Sequence, residues 1–498
     1  MSTLWPRVNR WLTWFHRWSG VVLCLLFIAW FASGAVLLYV PYPSLAESER
    51  LAHSEVVVTS RVTRSPATAL AQVPNANQLA LISVAGHPMY LAYAADGKPV
   101  AVPGDDAAAP ALFSASAAQV VAERFGGSTV SRVDGPLAYD QWIVHQRFDP
   151  FRPFYRVRLD DAARTELYVS GRTGQVLQRT RGTERAWNWC GAVLHWIYFT
   201  PLRKSWSAWN QTVWWLSLVA LLASVAGTWL GIHRFLKTRI AGRSNWSPFR
   251  GWMKWHHVIG LFASVIVLFW MLSGWLSMDH GRLFSKGSVA PDAAARFQGI
   301  SLDTVARAVP VTLLSNIGPA TEIRFSAVAG RPFAAARGGD SPAPRVFWLD
   351  APSAAPMPAI PSAALIAGLK LGWPGQGVMQ LAPTSTLDFY AVAESLGATA
   401  RPFDVGESRP LRVYVDGVTG QPLVVMDASR RAYAWVYYAL HTFNFPGLLE
   451  HPTTRAILVL VLLCVGLIFS GTGAVLGYRR LRRSFANDRP SSLPRALL

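Results

Sequence analysis

Six of the eleven histidines fall at the ends of long apolar stretches, where an ionisable ring is costly to keep and is usually functional. His16, His256 and His257 open such stretches, His233 closes one, and His195 and His441 lie in short apolar segments that lead into two others. Four of them are related by repetition. Residues 16–34 read HRWSGVVLCLLFIAWFASG and residues 256–274 read HHVIGLFASVIVLFWMLSG, so a shift of 240 sets His16 on His256, Trp30 on Trp270, Ser33 on Ser273 and Gly34 on Gly274. A shift of 246 sets His195 on His441. Taken singly, each ring is accounted for as an amphipathic interfacial residue. Taken as pairs, two neutral imidazoles that face each other can ligate one metal axially, as histidine does with haem iron. No carboxylate shares their helical face as the third ligand a hydrolytic zinc site would want. His233 falls on Arg479 and His257 on Arg17, so these two break the symmetry, and either could replace one ligand of the His16–His256 pair.

The elements that must position these rings are membrane helices. Four segments, 21–40, 213–232, 258–278 and 456–477, are apolar over the roughly 20 residues that span a bilayer. The 22 tryptophans cluster beside them as an interfacial belt, with Trp11, Trp14 and Trp18 before the first span and Trp206, Trp209, Trp214 and Trp215 around the second. The net charge of +19 is concentrated in short flanking segments: Arg7, Arg10 and Arg17; Arg234 to Lys254 between spans two and three; and Arg479 to Arg483 after span four. The positive-inside rule then puts both termini in the cytoplasm and both long loops outside, and it explains the charge better than nucleic-acid binding does. The basic-then-apolar start resembles a signal peptide with a cleavage site near Ala46, but the apolar run is long and is copied within the chain, so an uncleaved anchor is expected.

Repetition extends through the loops. SVAGHP at 83–88 recurs as AVAGRP at 327–332, and YVSGRTGQVL at 168–177 recurs as YVDGVTGQPL at 414–423. The expected organisation is a lead-in and first span over 1–43, an external α+β domain over 44–185, and a short histidine helix with span two over 186–236. A cytoplasmic loop follows at 237–255, then span three at 256–278 and a second external domain at 279–430. A second histidine helix with span four occupies 431–480, and a cytoplasmic tail runs over 481–498. Within the first loop, 79–93 reads as a hairpin broken at Gly86, 115–125 as a helix, and 154–159, 166–169 and 175–178 as strands. The Ala- and Pro-rich stretch at 351–364 is expected to be partly irregular. The 186–199 and 432–445 segments are too short to span and read as half-inserted helices. The matched halves predict a pseudo-two-fold axis along the membrane normal.

Small residues (Gly20 and Gly260; Ser33–Gly34 and Ser273–Gly274) could make room for a flat macrocycle, while Gly227/Gly231 and Gly473/Gly477 read as close helix packing. Trp30 and Trp270 could line a path between two cofactors or simply pack. Arg147, Arg152, Arg156 and Arg158, interleaved with aromatics, could attract an anionic acceptor or be ordinary strand-edge arginines. Cys24, Cys190 and Cys464 have no CxxC or CxxCH spacing, which argues against iron–sulfur, zinc or covalently attached haem. No dinucleotide fingerprint or P-loop is present, so an electron donor would be another protein, a quinol or a diffusible reduced flavin.

The HRWSG opening, the paired LH dipeptides at 194–195 and 440–441, and the two Tyr-Val-x-Gly-x-Thr-Gly turns resemble the PepSY-associated transmembrane family, which includes bacterial inner-membrane ferric-siderophore reductases of the FoxB and PiuB type. The resemblance implies a four-helix membrane bundle with two periplasmic α+β PepSY-like domains. It also implies two b-type haems and transfer of electrons from a cytoplasmic or quinol donor to a ferric siderophore or other ferric chelate, releasing ferrous iron. The competing expectations are a non-enzymatic sensory or inhibitory membrane protein and a siderophore or metal transporter.

Overall fold

The computed structural model describes residues 4–94, 96–284, 289–309, 311–314, 316–339, 343–351 and 355–487. The first three residues of the expected lead-in, residues 352–354 of the Ala/Pro-rich stretch and the tail beyond 487 lie outside them. Four helices are long and apolar enough to cross a membrane. They are α1 (Leu4–Leu37), α2 (Trp206–Ile240), α3 (Gly251–Ser277) and α4 (Pro452–Asn487). A helix satisfies its own backbone hydrogen bonds, so it is one of the few shapes a lipid environment tolerates. Each helix packs on two neighbours, which leaves α1 opposite α3 and α2 opposite α4. Leu23, Phe31, Ala220, Ala263, Val267, Trp270, Val459 and Leu463 fill the centre, while Val22, Leu25, Phe262, Val265, Ile457 and Ile468 point outward.

The loops fold into three antiparallel sheets. The 79–93 hairpin appears as β1 (Gln78–Val84) and β2 (His87–Tyr93), joined by a two-residue turn in which Ala85 (φ 52°) and Gly86 (φ 88°) both have positive φ. Next come β3 (Pro99–Pro103), β4 (Val130–Leu137), β5 (Phe154–Leu159), β6 (Glu166–Ser170) and β7 (Val176–Thr180). The second loop carries β8 (Glu322–Val328), β9 (Arg331–Arg337), β10 (Arg345–Trp348), β11 (Val378–Gln380), β12 (Ala400–Val405), β13 (Leu411–Asp416) and β14 (Pro422–Met426). The orders β4-β5-β6-β7 and β11-β12-β13-β14 match, and each Tyr-Val-x-Gly turn joins the last two strands of its sheet. A helix caps the first of these sheets where the sequence placed one, at Ala115–Gly126, with the Ser114 hydroxyl accepting from Ala117 N.

The third sheet belongs to both loops. Its order is β10-β9-β8-β1-β2-β3, with β1 and β8 paired from Leu79↔Phe325 to Ile82↔Glu322. The two hairpins therefore share one sheet and one core, in which Leu79, Leu81 and Tyr90 meet Ile323, Phe325 and Ala334. Glu322, buried at this seam, is bonded to Arg50 at 2.9 Å, to Arg324 at 2.5 Å and to Arg337. Burial pushes its carboxyl up, but the three guanidinium groups hold it well below the ordinary carboxylate range.

Candidate functional site

The segments expected as half-inserted helices are bent. After Gly182–Asn188 the chain winds into a π-helical turn, Trp189–Val193, with Gly191 out of helical geometry (φ −92°, ψ −108°). A Cβ at Gly191 would lie 2.9 Å from Val36 Cγ1, so only glycine lets this turn rest on α1. In the second half, Ala428–Tyr433 continues as the π-helical segment Ala434–His441. Such turns recur at functional sites because they re-aim side chains. Two matching hydrogen bonds pin the bends to the bundle: Trp30 Nε1–H donates to the His195 carbonyl and Trp270 Nε1–H to the His441 carbonyl, both at 3.0 Å. The tryptophans are thus anchors for the histidine segments.

The result is two imidazole pairs. At the sheet-bearing end of the bundle, the His195 and His441 ring centres are 6.4 Å apart with planes at 65°. Toward the other end, His16 on α1 and His256 on α3 are also 6.4 Å apart, with planes at 34°. Two imidazoles that ligate one ion at ~2.0–2.1 Å each place their ring centres roughly 6 Å apart. Both spacings fit that arrangement, and both are too wide for direct ring stacking.

A hydrogen bond at Nδ1 holds all four rings. The Ser33 hydroxyl lies 2.9 Å from His195 Nδ1 and 3.2 Å from the Trp30 carbonyl. Ser273 lies 3.1 Å from His441 Nδ1 and 3.2 Å from the Trp270 carbonyl. Thr472 donates to the Phe469 carbonyl at 2.6 Å and accepts from His256 Nδ1–H at 3.0 Å. His16 Nδ1–H donates to the Ala223 carbonyl at 3.0 Å, so His16 and His256 keep the Nε2 lone pair. Among the described residues none of the four Nε2 atoms makes a protein hydrogen bond. Ligating histidines are characteristically held this way, by the nitrogen that does not bind the metal.

Each ring also lies over a glycine. A Cβ would stand 3.8 Å from His195 Cε1 at Gly34, 3.2 Å from His441 Cε1 at Gly274, 2.8 Å from His16 Nδ1 at Gly227 and 3.6 Å from His256 Cε1 at Gly473. The sequence reading gave Gly227 and Gly473 to helix packing, whereas here they make room for imidazoles. One ring of each pair also carries an aromatic: Phe469 stacks on His256 at 4.8 Å and Tyr437 on His441 at 5.7 Å.

The other candidates lie apart from the pairs. His257 spends Nε2–H on the Gly231 carbonyl at 3.0 Å, the opposite tautomer, and its buried Nδ1 has no partner. His233 stacks on Trp229 of its own helix at 6.3 Å. Neither ring faces another imidazole among the described residues, and no cluster of three or more His, Cys, Asp or Glu poised to hold an ion occurs there. Of the four loop arginines, Arg152 is bonded to Asp149 at 2.8 Å, Arg156 to Asp134 at 3.0 Å and to Asp140 at 2.8 Å, and Arg158 lies near Asp134 and Glu166, both at 3.4 Å. Arg147 alone has no carboxylate among the described residues and lies over Phe148.

Residues 13–311 match the family model described as PepSY-associated TM region. The chain belongs to this family. A search of curated proteins finds no match. Within this PepSY-associated membrane protein, the matched span holds most of α1, the first loop, α2, α3 and three of the four paired histidines; His441 lies beyond it.

The donor set fits haem. The four imidazoles stand in two pairs, each ring held at Nδ1 and lying over a glycine, with no protein hydrogen bond at Nε2 among the described residues. His195 and His441 would hold one haem and His16 and His256 the other.

Proposed function

We propose that the protein is a di-haem reductase of the bacterial inner membrane, carrying electrons from a cytoplasmic or quinol donor to a ferric siderophore or other ferric chelate in the periplasm. The observation that carries this reading is the pair of imidazole couples, each 6.4 Å apart at the ring centres, stacked at two levels of one bundle. The basic residues around His16 and His256 mark that level as cytoplasmic by the positive-inside rule, so the His195–His441 level and the sheets face the periplasm. When bound, haem supplies reversible one-electron chemistry between the two faces. The protein's own part is to hold each ring by Nδ1, to seal the relay in an apolar core around Phe31 and Trp270, and to bring the acceptor to the sheet-bearing end. One electron converts one ferric ion to ferrous, which hard oxygen ligands hold less well, so the chelate releases it.

Proteoliposomes loaded with a reductant and given a ferric hydroxamate outside, with a coloured ferrous trap, test this. The wild type is expected to form the trapped ferrous complex, and His195→Ala and His441→Ala are expected to lose that activity while keeping one haem. Equal rates in the wild type and both variants would overturn the proposal.

A further inference from the structure

Among the described residues Arg203 is the largest fully buried side chain, with 1% of its surface exposed, and no carboxylate there pairs with it. Burying an ion costs several kcal/mol, on the order of what unfolds a domain, unless an opposite charge accompanies it. What surrounds Arg203 is neutral. Its guanidinium lies over the rings of Tyr198 (4.8 Å), Trp206 (5.3 Å) and Trp209 (4.5 Å), and one terminal N–H donates to Gln146 Oε1 at 2.6 Å. Two donors here are idle: Arg203 Nε and Gln146 Nε2 are both buried and both without a hydrogen-bond partner among the described residues. Two neighbouring orphaned N–H groups on a guanidinium and an amide make a set that a carboxylate satisfies with two charge-assisted or neutral bonds. Arg147 adds a second cation at the rim with no acidic partner of its own. His145, two residues before Arg147, is pushed down to about 4 by desolvation and then by Arg203 and Arg147, partly offset by Asp149.

The place of this corner in the fold names the carboxylate. Arg203 lies eight residues beyond His195, and Trp209, which it touches, donates Nε1–H to the Trp196 carbonyl at 2.8 Å. Tyr198 packs against Trp196 at 5.2 Å and lies within electrostatic reach of Tyr437, the residue stacked on His441. The orphaned donors thus lie on the segment that leaves His195, tied to it through Trp196, Tyr198 and Trp209. An exchanging substrate needs access, and a group 1% exposed does not offer it, so the anion is one that stays. The matching position in the second half is Leu449, so the feature is not a by-product of the repeat. We infer that Arg203 and Gln146 bind a propionate of the haem held by His195 and His441, the cofactor bringing the counter-charge that the polypeptide lacks. This rests on the haem reading above.

The test uses the full chain made haem-free and carrying His16→Ala, which leaves one intact pair. It is titrated with hemin and with hemin dimethyl ester, whose propionates are uncharged, and Soret growth is followed. The free acid is expected to bind about tenfold or more tighter than the ester, since a charge-assisted bond is worth about 1.5–3 kcal/mol. In Arg203→Met the two are expected to bind alike, with part of the preference restored in Arg203→Lys. The acid–ester comparison on unmutated Arg203, and Gln146→Leu, keep the test decisive if Arg203→Met does not fold. No acid preference, or one that Arg203→Met retains, overturns the inference while leaving the haem reading intact. Failure to bind either porphyrin sinks the haem reading itself. Ferric citrate binding that depends on Arg203, without an acid–ester difference, would reassign the corner to substrate and also overturn it.

Discussion

The glycines under His16 and His256, Gly227 and Gly473, match in sequence register but not in space, and that difference yields a sharp prediction. A methyl at Gly227 would stand 2.8 Å from His16 Nδ1 and closer still to Cε1, well inside contact, whereas at Gly473 it would stand 3.6 Å from His256 Cε1, an ordinary distance. His16 has little freedom to retreat, because its Nδ1–H is bonded to the Ala223 carbonyl one turn away on the same helix as Gly227. Forcing an extra carbon into packed space costs about 1–3 kcal/mol. At 1.4 kcal/mol per tenfold, Gly227→Ala should weaken haem at the His16–His256 pair by about 5- to 100-fold. Gly473→Ala should change it little. Replacing glycine within a helix gains ~0.5–1 kcal/mol of helix stability, so Gly227→Ala should not melt earlier than the wild type for want of helix. Pyridine haemochrome titration of both purified variants, alongside thermal melts, is the assay. The spatial argument is refuted if the two variants retain the same haem content, or if Gly473→Ala is the one that loses it.

Three further outcomes are expected. Ser33→Ala and Ser273→Ala each remove the hydroxyl that holds one sheet-end Nδ1, and loss of such an outer contact should lower haem affinity about 10- to 100-fold; unchanged affinity in both would show that the hydroxyls do not orient the rings. Glu322→Gln should destabilise the seam between β1 and β8 by about 1–3 kcal/mol by leaving three arginines with the more exposed Glu47 as their carboxylate, read as a lower melting temperature and faster amide exchange in β1, and a loss under about 1 kcal/mol would count against it. Because the folded carboxyl of Glu322 lies below its unfolded value near 4.3, its contribution is complete at neutral pH and falls as pH drops below about 4.3 toward the lower folded value; a seam equally stable in a pH series across and below that range would contradict the ion-pair account.

Much of the site was legible in the sequence because its signals are local or repeated. Long apolar runs declare membrane helices, and His16/His256 and His195/His441 stand out as copies of one another at apolar boundaries. The hairpin at 79–93 and the helix at 115–125 carry their own turn and cap residues. What was not legible depends on distant contact. The β1–β8 pairing joins edges separated by almost half the chain, and edge strands carry no local mark of their partner. Thr472 falls on Ala226 under the repeat, so nothing marked it as the partner of His256. Gly227 and Gly473 fit a helix-packing motif equally well until a ring is seen over each. Arg156 and Arg158 looked available because Asp134, Asp140 and Glu166 lie on other segments, and nothing in the sequence singled out Arg203, whose orphaned donor shows only in the fold.

The measurement that bears most directly on the whole account is the haem-to-protein ratio of the purified full-length chain, with its reduced-minus-oxidised spectrum. Two haems per chain with the low-spin bands of paired histidine ligands are the predicted result. A folded, colourless protein, or a single haem that persists when His195 and His441 are both replaced and also when His16 and His256 are both replaced, would contradict it.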